Sequence, residues 1–188
     1  MTESDFVAIV LRNPANAQIL RRLPSLGLAD CWLVSGCLFQ TVWNVLEGQP
    51  PTRGIRDYDL FYFDPDTSWD AEDVAIRRAN AGFADLGVEV ELRNQARAHL
   101  WYEDKFGAPY PPLACATEGI DRFLSHNCMV GLRPNGAGFA VYAPEGFDDI
   151  EAMIVRPNVT ANFQAARYRE KAERRTVLWP SLRVLDPA

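Results

Sequence analysis

The chain has 188 residues and a formal net charge of −6, long enough to bury a proper core in a single domain over residues 1–188. Its hydrophobic fraction of 48% is that of a compact soluble protein, and no apolar run reaches the length of a membrane span. The acidic balance speaks against broad nucleic-acid binding, which calls for a basic surface. The start, Met1-Thr2-Glu3-Ser4-Asp5-Phe6, lacks the basic region of a secretory signal.

In chain order, Phe6 to Arg12 and Ala15 to Leu23 read as two short helices broken by Asn13-Pro14. Cys31 to Val34 is a buried strand, Ser35-Gly36 a tight turn, and Cys37 to Leu46 a helix with Leu38, Val42, Val45 and Leu46 at helical spacing. The loop Gln49 to Gly54 leads to a second strand, Arg56 to Phe63. Asp64 to Ser68 then caps a helix over Trp69 to Leu86, with acids in its first turn and Gly87 at its end. Val88 to Leu92 alternates as a third strand, and Asn94 to Gly107 reads as a capped helix. A short helix near Thr117 to Leu124 precedes a hairpin of Met129 to Leu132 and Phe139 to Tyr142, joined through Asn135-Gly136. A short helix and edge segment follow over Phe147 to Val155, and the last element is a charged helix over Asn162 to Thr176. Strands with intervening helices predict a layered α/β or α+β domain.

The four cysteines, Cys31, Cys37, Cys115 and Cys128, are irregularly spaced in apolar surroundings with no Cys-x-x-Cys pair. That pattern predicts free thiols rather than disulfides or zinc, and a reducing cytoplasm.

Chemistry concentrates on the second strand. Side chains alternate along a strand, so Asp57 and Asp59 share one face with Phe61 and Phe63, while Tyr58, Leu60 and Tyr62 take the other. Two carboxylates on an otherwise aromatic face are partly desolvated and repel each other. A hard divalent cation such as Mg²⁺ relieves that conflict, which makes Asp57 and Asp59 a candidate metal pair. The competing reading is a solvated strand end with Arg53 or Arg56 as ion-pair partners. On the third strand Glu89 and Glu91 share a face. Gln40, Thr41 and Asn44 form one polar helix face, either hydrated or near phosphates. Arg93 and Arg97 are placed either to grip phosphate or to pair with Glu89 or Glu103. His99 reads as a satisfied, half-buried histidine, and Trp32, Trp43 and Trp101 as core. Arg167, Lys171 and Arg174 make a stripe at helical spacing, a solvated face or the lining of an acceptor site.

Gly36-Cys37-x-x-Gln40-Thr41-Val42-Trp43-Asn44, Asp57-Tyr58-Asp59-Leu60-Phe61-Tyr62-Phe63, Arg93-Asn94-Gln95-Ala96-Arg97-x-His99-Leu100-Trp101-Tyr102 and Gly146-Phe147-Asp148-Asp149 are carried together, from about Asp30 to Pro180. In these segments the chain resembles a bacterial nucleotidyltransferase-like family of the DNA polymerase beta nucleotidyltransferase superfamily. The resemblance implies an α+β, nucleotidyltransferase-like fold with helices packed against a small mixed sheet. It also implies transfer of a nucleotidyl group from a nucleoside triphosphate to an acceptor, whether small molecule, RNA or protein. Mg²⁺ would be held by Asp57, Asp59 and a third acid, Glu91 in preference to Glu89. Ser35, Gly36, Cys37 and Gln40 fall at the turn that holds the triphosphate at a helix N-terminus, and Arg93 and Arg97 complete the nucleotide-binding set. Two alternatives stand beside the enzyme: a catalytically silent nucleotide- or metal-binding module, which Gly36-Cys37 in place of Gly-Gly or Gly-Ser favours, and a metal-dependent glycosyltransferase using the Asp-x-Asp pair.

Overall fold

The computed structural model describes residues 1–187. Two helices open the chain, α1 (Glu3–Val10) and α2 (Pro14–Arg22). Thr2 and Asp5 exchange hydrogen bonds as a capping box on α1. Asn13 accepts from the N–H groups of Ala15 and Asn16, so Asn13-Pro14 is the cap and first residue of α2 rather than only a break. Strand β1 (Trp32–Val34) runs through Ser35 into α3 (Gly36–Leu46), and β2 (Asp57–Tyr62) is followed by α4 (Trp69–Phe83) and β3 (Glu89–Asn94). Next come α5 (Ala98–Phe106), α6 (Ala116–Ile120) and the hairpin of β4 (Gly131–Asn135) with β5 (Gly138–Tyr142). The chain continues through α7 (Asp148–Glu151), β6 (Ile154–Val155), α8 (Ala165–Leu178) and β7 (Arg183–Val184).

Five strands form one mixed sheet in the order β3-β2-β1-β4-β5, and β6 pairs with β7 in a second, two-stranded parallel ladder. The β2–β3 pair is parallel because α4 carries the chain back across the sheet, whereas β1 is antiparallel to both β2 and β4. Register places Val34 opposite Asp59 and Trp32 opposite Phe61, and sets Asp57 beside Glu89 and Asp59 beside Glu91.

Alternation along β2 divides the protein into two layers. Tyr58, Leu60 and Tyr62 are buried with Leu33, Leu92 and Leu132 against α1 to α4, the main core. The opposite face holds a smaller cluster of Trp32, Val34, Ala116, Ile120 and Met129, flanked by Phe61 and Phe123. Gly131 lets α6 approach this closely, since a Cβ there would meet Ile120 Cδ1 at 2.7 Å. This covering leaves the sheet open above Asp57 and Asp59.

One expected boundary moved. The helix anticipated from Asn94 starts at Ala98, because Asn94 ends β3 and is held there from several sides. Its N–H donates to the buried Glu72 carboxylate (3.0 Å), its Oδ1 accepts from the N–H groups of Asp64 and Ala96 (both 3.1 Å), and its Nδ2 donates to the Asp64 carbonyl (2.9 Å). Asn94 thus ends β3 and also caps, through Ala96, the 3-10 turn Gln95–Arg97 that leads into α5. The two-residue strands β6 and β7 carry no periodic signal, and β7 went unforeseen.

Candidate active site

Asp57 and Asp59 lie on the open face of the sheet and line a cleft of about 120 Å³. Because β1 runs antiparallel to β2, the Ser35-Gly36 turn falls at the Asp57 end of the pair. Ser35 takes φ 55° and ψ −113°, a strained conformation for a residue with a Cβ. Its N–H donates to the Val130 carbonyl (2.9 Å), and its own carbonyl accepts from Leu38 and Phe39. The hydroxyl does not cap α3, so α3 presents its first N–H groups, with the positive end of its dipole, toward the cleft where Ser35, Gly36 and Gln40 form the wall.

The wall facing the acids comes from α8 and the loop before β4. Lys171, Arg174 and Arg175 line it with Ser125 and Cys128. Arg175 donates to Cys128 Sγ at 3.2 Å and lies over the Phe39 ring, and the Ser125 hydroxyl is 3.1 Å from the same sulfur. Burial works against ionisation of Cys128, but Arg175, the Ser125 hydrogen bond and Lys171 outweigh it and hold the thiol below its ordinary range. Helix α8 is fixed by Tyr168, whose hydroxyl reaches the carbonyls of Val155 (2.8 Å) and Leu185 (2.6 Å). Behind it, the Trp179 indole donates to Asn44 Oδ1 at 2.9 Å.

The acids are under electrostatic stress. Burial, then Asp57, then Glu91 push the Asp59 carboxyl up to about 7, with Lys171 and Arg93 pulling the other way. Lys171 is lowered from its ordinary range chiefly by burial, opposed by Cys128 and Asp59. The cleft therefore holds opposed charges, each paying for desolvation.

The family description "Nucleotidyltransferase" matches residues 21–184. The chain belongs to the nucleotidyltransferase family. Among solved structures it is similar to one described as "The NMR structure of the protein reveals a CCA-adding enzyme head domain", with a TM-score of 0.76 and 25% sequence identity over 99% of this chain and 97% of that one. No curated protein matches the chain.

In this member of the family the residues singled out from sequence divide into groups. Asp57, Asp59, Ser35, Gly36 and Gln40 share the cleft, as do Lys171 and Arg174 of the basic stripe. Cys37 contributes backbone only. Its side chain is fully buried and its thiol donates to the Val34 carbonyl (3.7 Å), with burial first and then Asp59 and Asp57 pushing it well up. Glu91 shares the face of Asp59 but pairs with Arg93 at 3.2 Å and stands outside the cleft lining, while Glu89 is exposed at the strand start. No set of three or more His, Cys, Asp and Glu side chains is gathered around a metal position among the described residues.

Arg97 lies away from the cleft, with its guanidinium 2.7 Å from the buried Glu72 and over the Trp69 ring. Thr41 and Asn44 are buried and structural. Thr41 bonds the Cys37 carbonyl, and Asn44 donates to the carbonyls of Pro51 (3.1 Å) and Arg53 (2.9 Å), fixing the loop that enters β2. Sequence reasoning missed Ser125, Cys128 and Arg175 as cleft residues. Ser125 and Cys128 come from a short irregular stretch with no motif, and Arg175 extends the stripe of α8 by one position.

Proposed function

We propose that the chain, acting as a single cytoplasmic domain over residues 1–188, transfers a nucleotidyl group from a nucleoside triphosphate to an acceptor hydroxyl or phosphate. The observation that carries the reading is the cleft itself: two carboxylates on β2, a helix N-terminus at one end, and three basic side chains across from them. A triphosphate is polyanionic, and Lys171, Arg174, Arg175 and the N–H groups at the start of α3 complement it. Four free cysteines agree with a reducing setting, and among the described residues no helix is long and apolar enough to cross a membrane.

A divalent cation fits the donor set. Asp59 is destabilised as an anion by burial and by Asp57, which is the conflict that a bound cation removes, and Mg²⁺ commonly takes one or two carboxylates with water and phosphate oxygens. Asp57 and Asp59 would hold it, with Glu91 as the third carboxylate once it exchanges Arg93 for the cation. When bound, the ion supplies charge neutralisation at the phosphates and lowers the pKa of an attacking hydroxyl. The chain's own residues orient the triphosphate along the cleft, its pyrophosphate end against Ser35, Gly36 and the start of α3. The acceptor oxygen forms a bond to the α-phosphorus as the bond to the bridging oxygen breaks, pyrophosphate leaves, and the acceptor proton passes to solvent. Arg174 and Arg175 hold charge on the departing group.

Titrating the wild type and Asp57→Asn/Asp59→Asn with Mg²⁺ and a panel of nucleoside triphosphates tests this. Metal-dependent binding that falls at least tenfold in the double variant is the expected result, and absence of such binding in the wild type would remove the enzyme. The second reading, a silent nucleotide-binding module, is favoured by one observation, the burial of Cys37 where a cleft-facing hydroxyl would assist the phosphates. Binding without turnover across a broad acceptor screen selects it. Binding confined to nucleotide sugars selects a glycosyltransferase instead.

A further inference from the structure

A second cavity, of about 180 Å³, adjoins the cleft and shares Phe123, Leu124 and Lys171 with it. On β2 the same face carries Asp57, Asp59 and Phe61 in succession, and Phe61 lines this cavity. The acids therefore lie between the Ser35-Gly36 turn at one end and the cavity at the other.

The cavity is built from rings and guanidinium groups. Tyr102 and Tyr110 are stacked with centroids 4.2 Å apart, Phe61 stacks on Phe123 at 5.4 Å, and Arg167 lies 3.7 Å over the Phe106 ring. Arg93, Arg122 and Lys171 add positive charge, and no Asp or Glu lines the cavity among the described residues. Aromatic rings alone would attract a cation, but Arg93, Arg122, Arg167 and Lys171 repel one, and together rings and cations suit a planar ring that carries negative charge. A cavity of roughly 150 Å³ accepts benzene, so one ring system fits this one.

A polar reader is in place as well. Gln95 is 3% exposed and lines the cavity, and its amide N–H₂ donates to the Arg93 carbonyl across a long 3.4 Å. Gly119 gives it room, since a Cβ there would stand 2.3 Å from Gln95 Oε1. A buried amide with spare hydrogen-bonding capacity on an aromatic wall suits the edge of a nucleobase.

We propose that this cavity is the acceptor subsite, and that the acceptor is a nucleotide whose base lies among Tyr102, Phe106 and Tyr110, with its phosphate met by Arg122 and Arg167. The assignment rests on the nucleotidyl-transfer reading for its direction. In-line displacement sets the attacking oxygen opposite the departing pyrophosphate, and the pyrophosphate lies at the turn end, so the attacker enters from the Phe61 end.

Calorimetric titration with nucleoside 5′-monophosphates, the matching uncharged nucleosides and a tetraribonucleotide tests the subsite in the wild type, Tyr110→Leu and Arg167→Gln. Mg²⁺-dependent triphosphate binding is measured on the same samples, and thermal unfolding checks that each variant is folded. Monophosphates are expected to bind the wild type about tenfold more tightly than nucleosides and to lose about tenfold in each variant, with triphosphate affinity held within twofold. A tetraribonucleotide that binds more tightly than the monophosphates, and loses the advantage in the variants, identifies a strand end as the source; equal affinity identifies a free nucleotide. The proposal is overturned if the wild type binds neither the monophosphates nor the tetraribonucleotide, if the variants leave both of these affinities unchanged, or if triphosphate affinity falls in parallel, which would assign the cavity to the donor base. Should the wild type bind monophosphates in this variant-sensitive way but no triphosphate with Mg²⁺, the base pocket stands and the transfer reading falls.

Discussion

Replacing Asp59 with Asn should make the metal-free protein more stable at pH 8. Asp59 has a folded-state pKa of about 7 against an ordinary 3.8, so between those values the folded state keeps a proton that the unfolded chain has released. Stability therefore falls as pH rises through this window, by about 1.36 kcal/mol per pH unit at most. Across roughly three pH units that sets a ceiling of about 4 kcal/mol, and water entering the cleft trims it to roughly 2 kcal/mol or more. Lys171 and Arg93 already favour the anion within the value of about 7, so their pull is included. The carboxamide of the variant cannot ionise and escapes the penalty. Urea denaturation with a chelator present, at pH 4 and pH 8, reads the difference: the two proteins should be close at pH 4, with Asp59→Asn ahead at pH 8. Added Mg²⁺ should raise the wild type at pH 8 and leave the variant unmoved. Equal pH slopes, or a variant less stable at pH 8, would refute the claim that burial and neighbouring acids strain this carboxylate.

Three further outcomes are expected. Arg97→Leu strands the buried Glu72 beside its remaining Asn94 N–H and should cost about 3 kcal/mol in chemical denaturation, with triphosphate affinity unchanged; a loss of nucleotide binding without a loss of stability would return Arg97 to the site. Asn44→Ala removes two bonds to the loop before β2 and the acceptor of the Trp179 indole, for about 3 kcal/mol, read from the denaturation midpoint. Cys128, with its thiol held below the ordinary range by Arg175, Ser125 and Lys171 against burial, should be alkylated by iodoacetamide at lower pH than an ordinary thiol. Arg175→Leu should move that profile upward, as followed by mass spectrometry of the Cys128 peptide.

The acid pair was legible because strand alternation is local: Asp57 and Asp59 declare a face wherever β2 packs. Turn, helix and acid strand are local features, and the fold was readable because further segments, Arg93 to Tyr102 and Gly146 to Asp149, accompany them between about Asp30 and Pro180. The polar face of α3 was ambiguous for a physical reason. Helical spacing puts Gln40, Thr41 and Asn44 close together, yet only the packing of α2 and Trp179 decides that Thr41 and Asn44 turn inward while Gln40 meets the cleft. Arg97 was ambiguous in the same way, since a guanidinium satisfies phosphate and carboxylate equally, and its partner Glu72 reads as a solvated first-turn acid. Ser125 and Cys128 gave no signal because their place on the wall depends on α8, from a distant part of the chain.

That distance has a mechanical meaning. The Trp179–Asn44 bond joins residues 135 apart in sequence, whereas the acids belong to a ladder already secured by strands on both sides. Acid and base walls thus rest on different supports: the first on the sheet, the second on long-range contacts of α8 and its flanks, Tyr168 with Val155, Arg175 with Cys128, Trp179 with Asn44 and Arg53 with the Leu178 carbonyl. The width of the cleft is therefore set by contacts between segments far apart in sequence rather than within either wall.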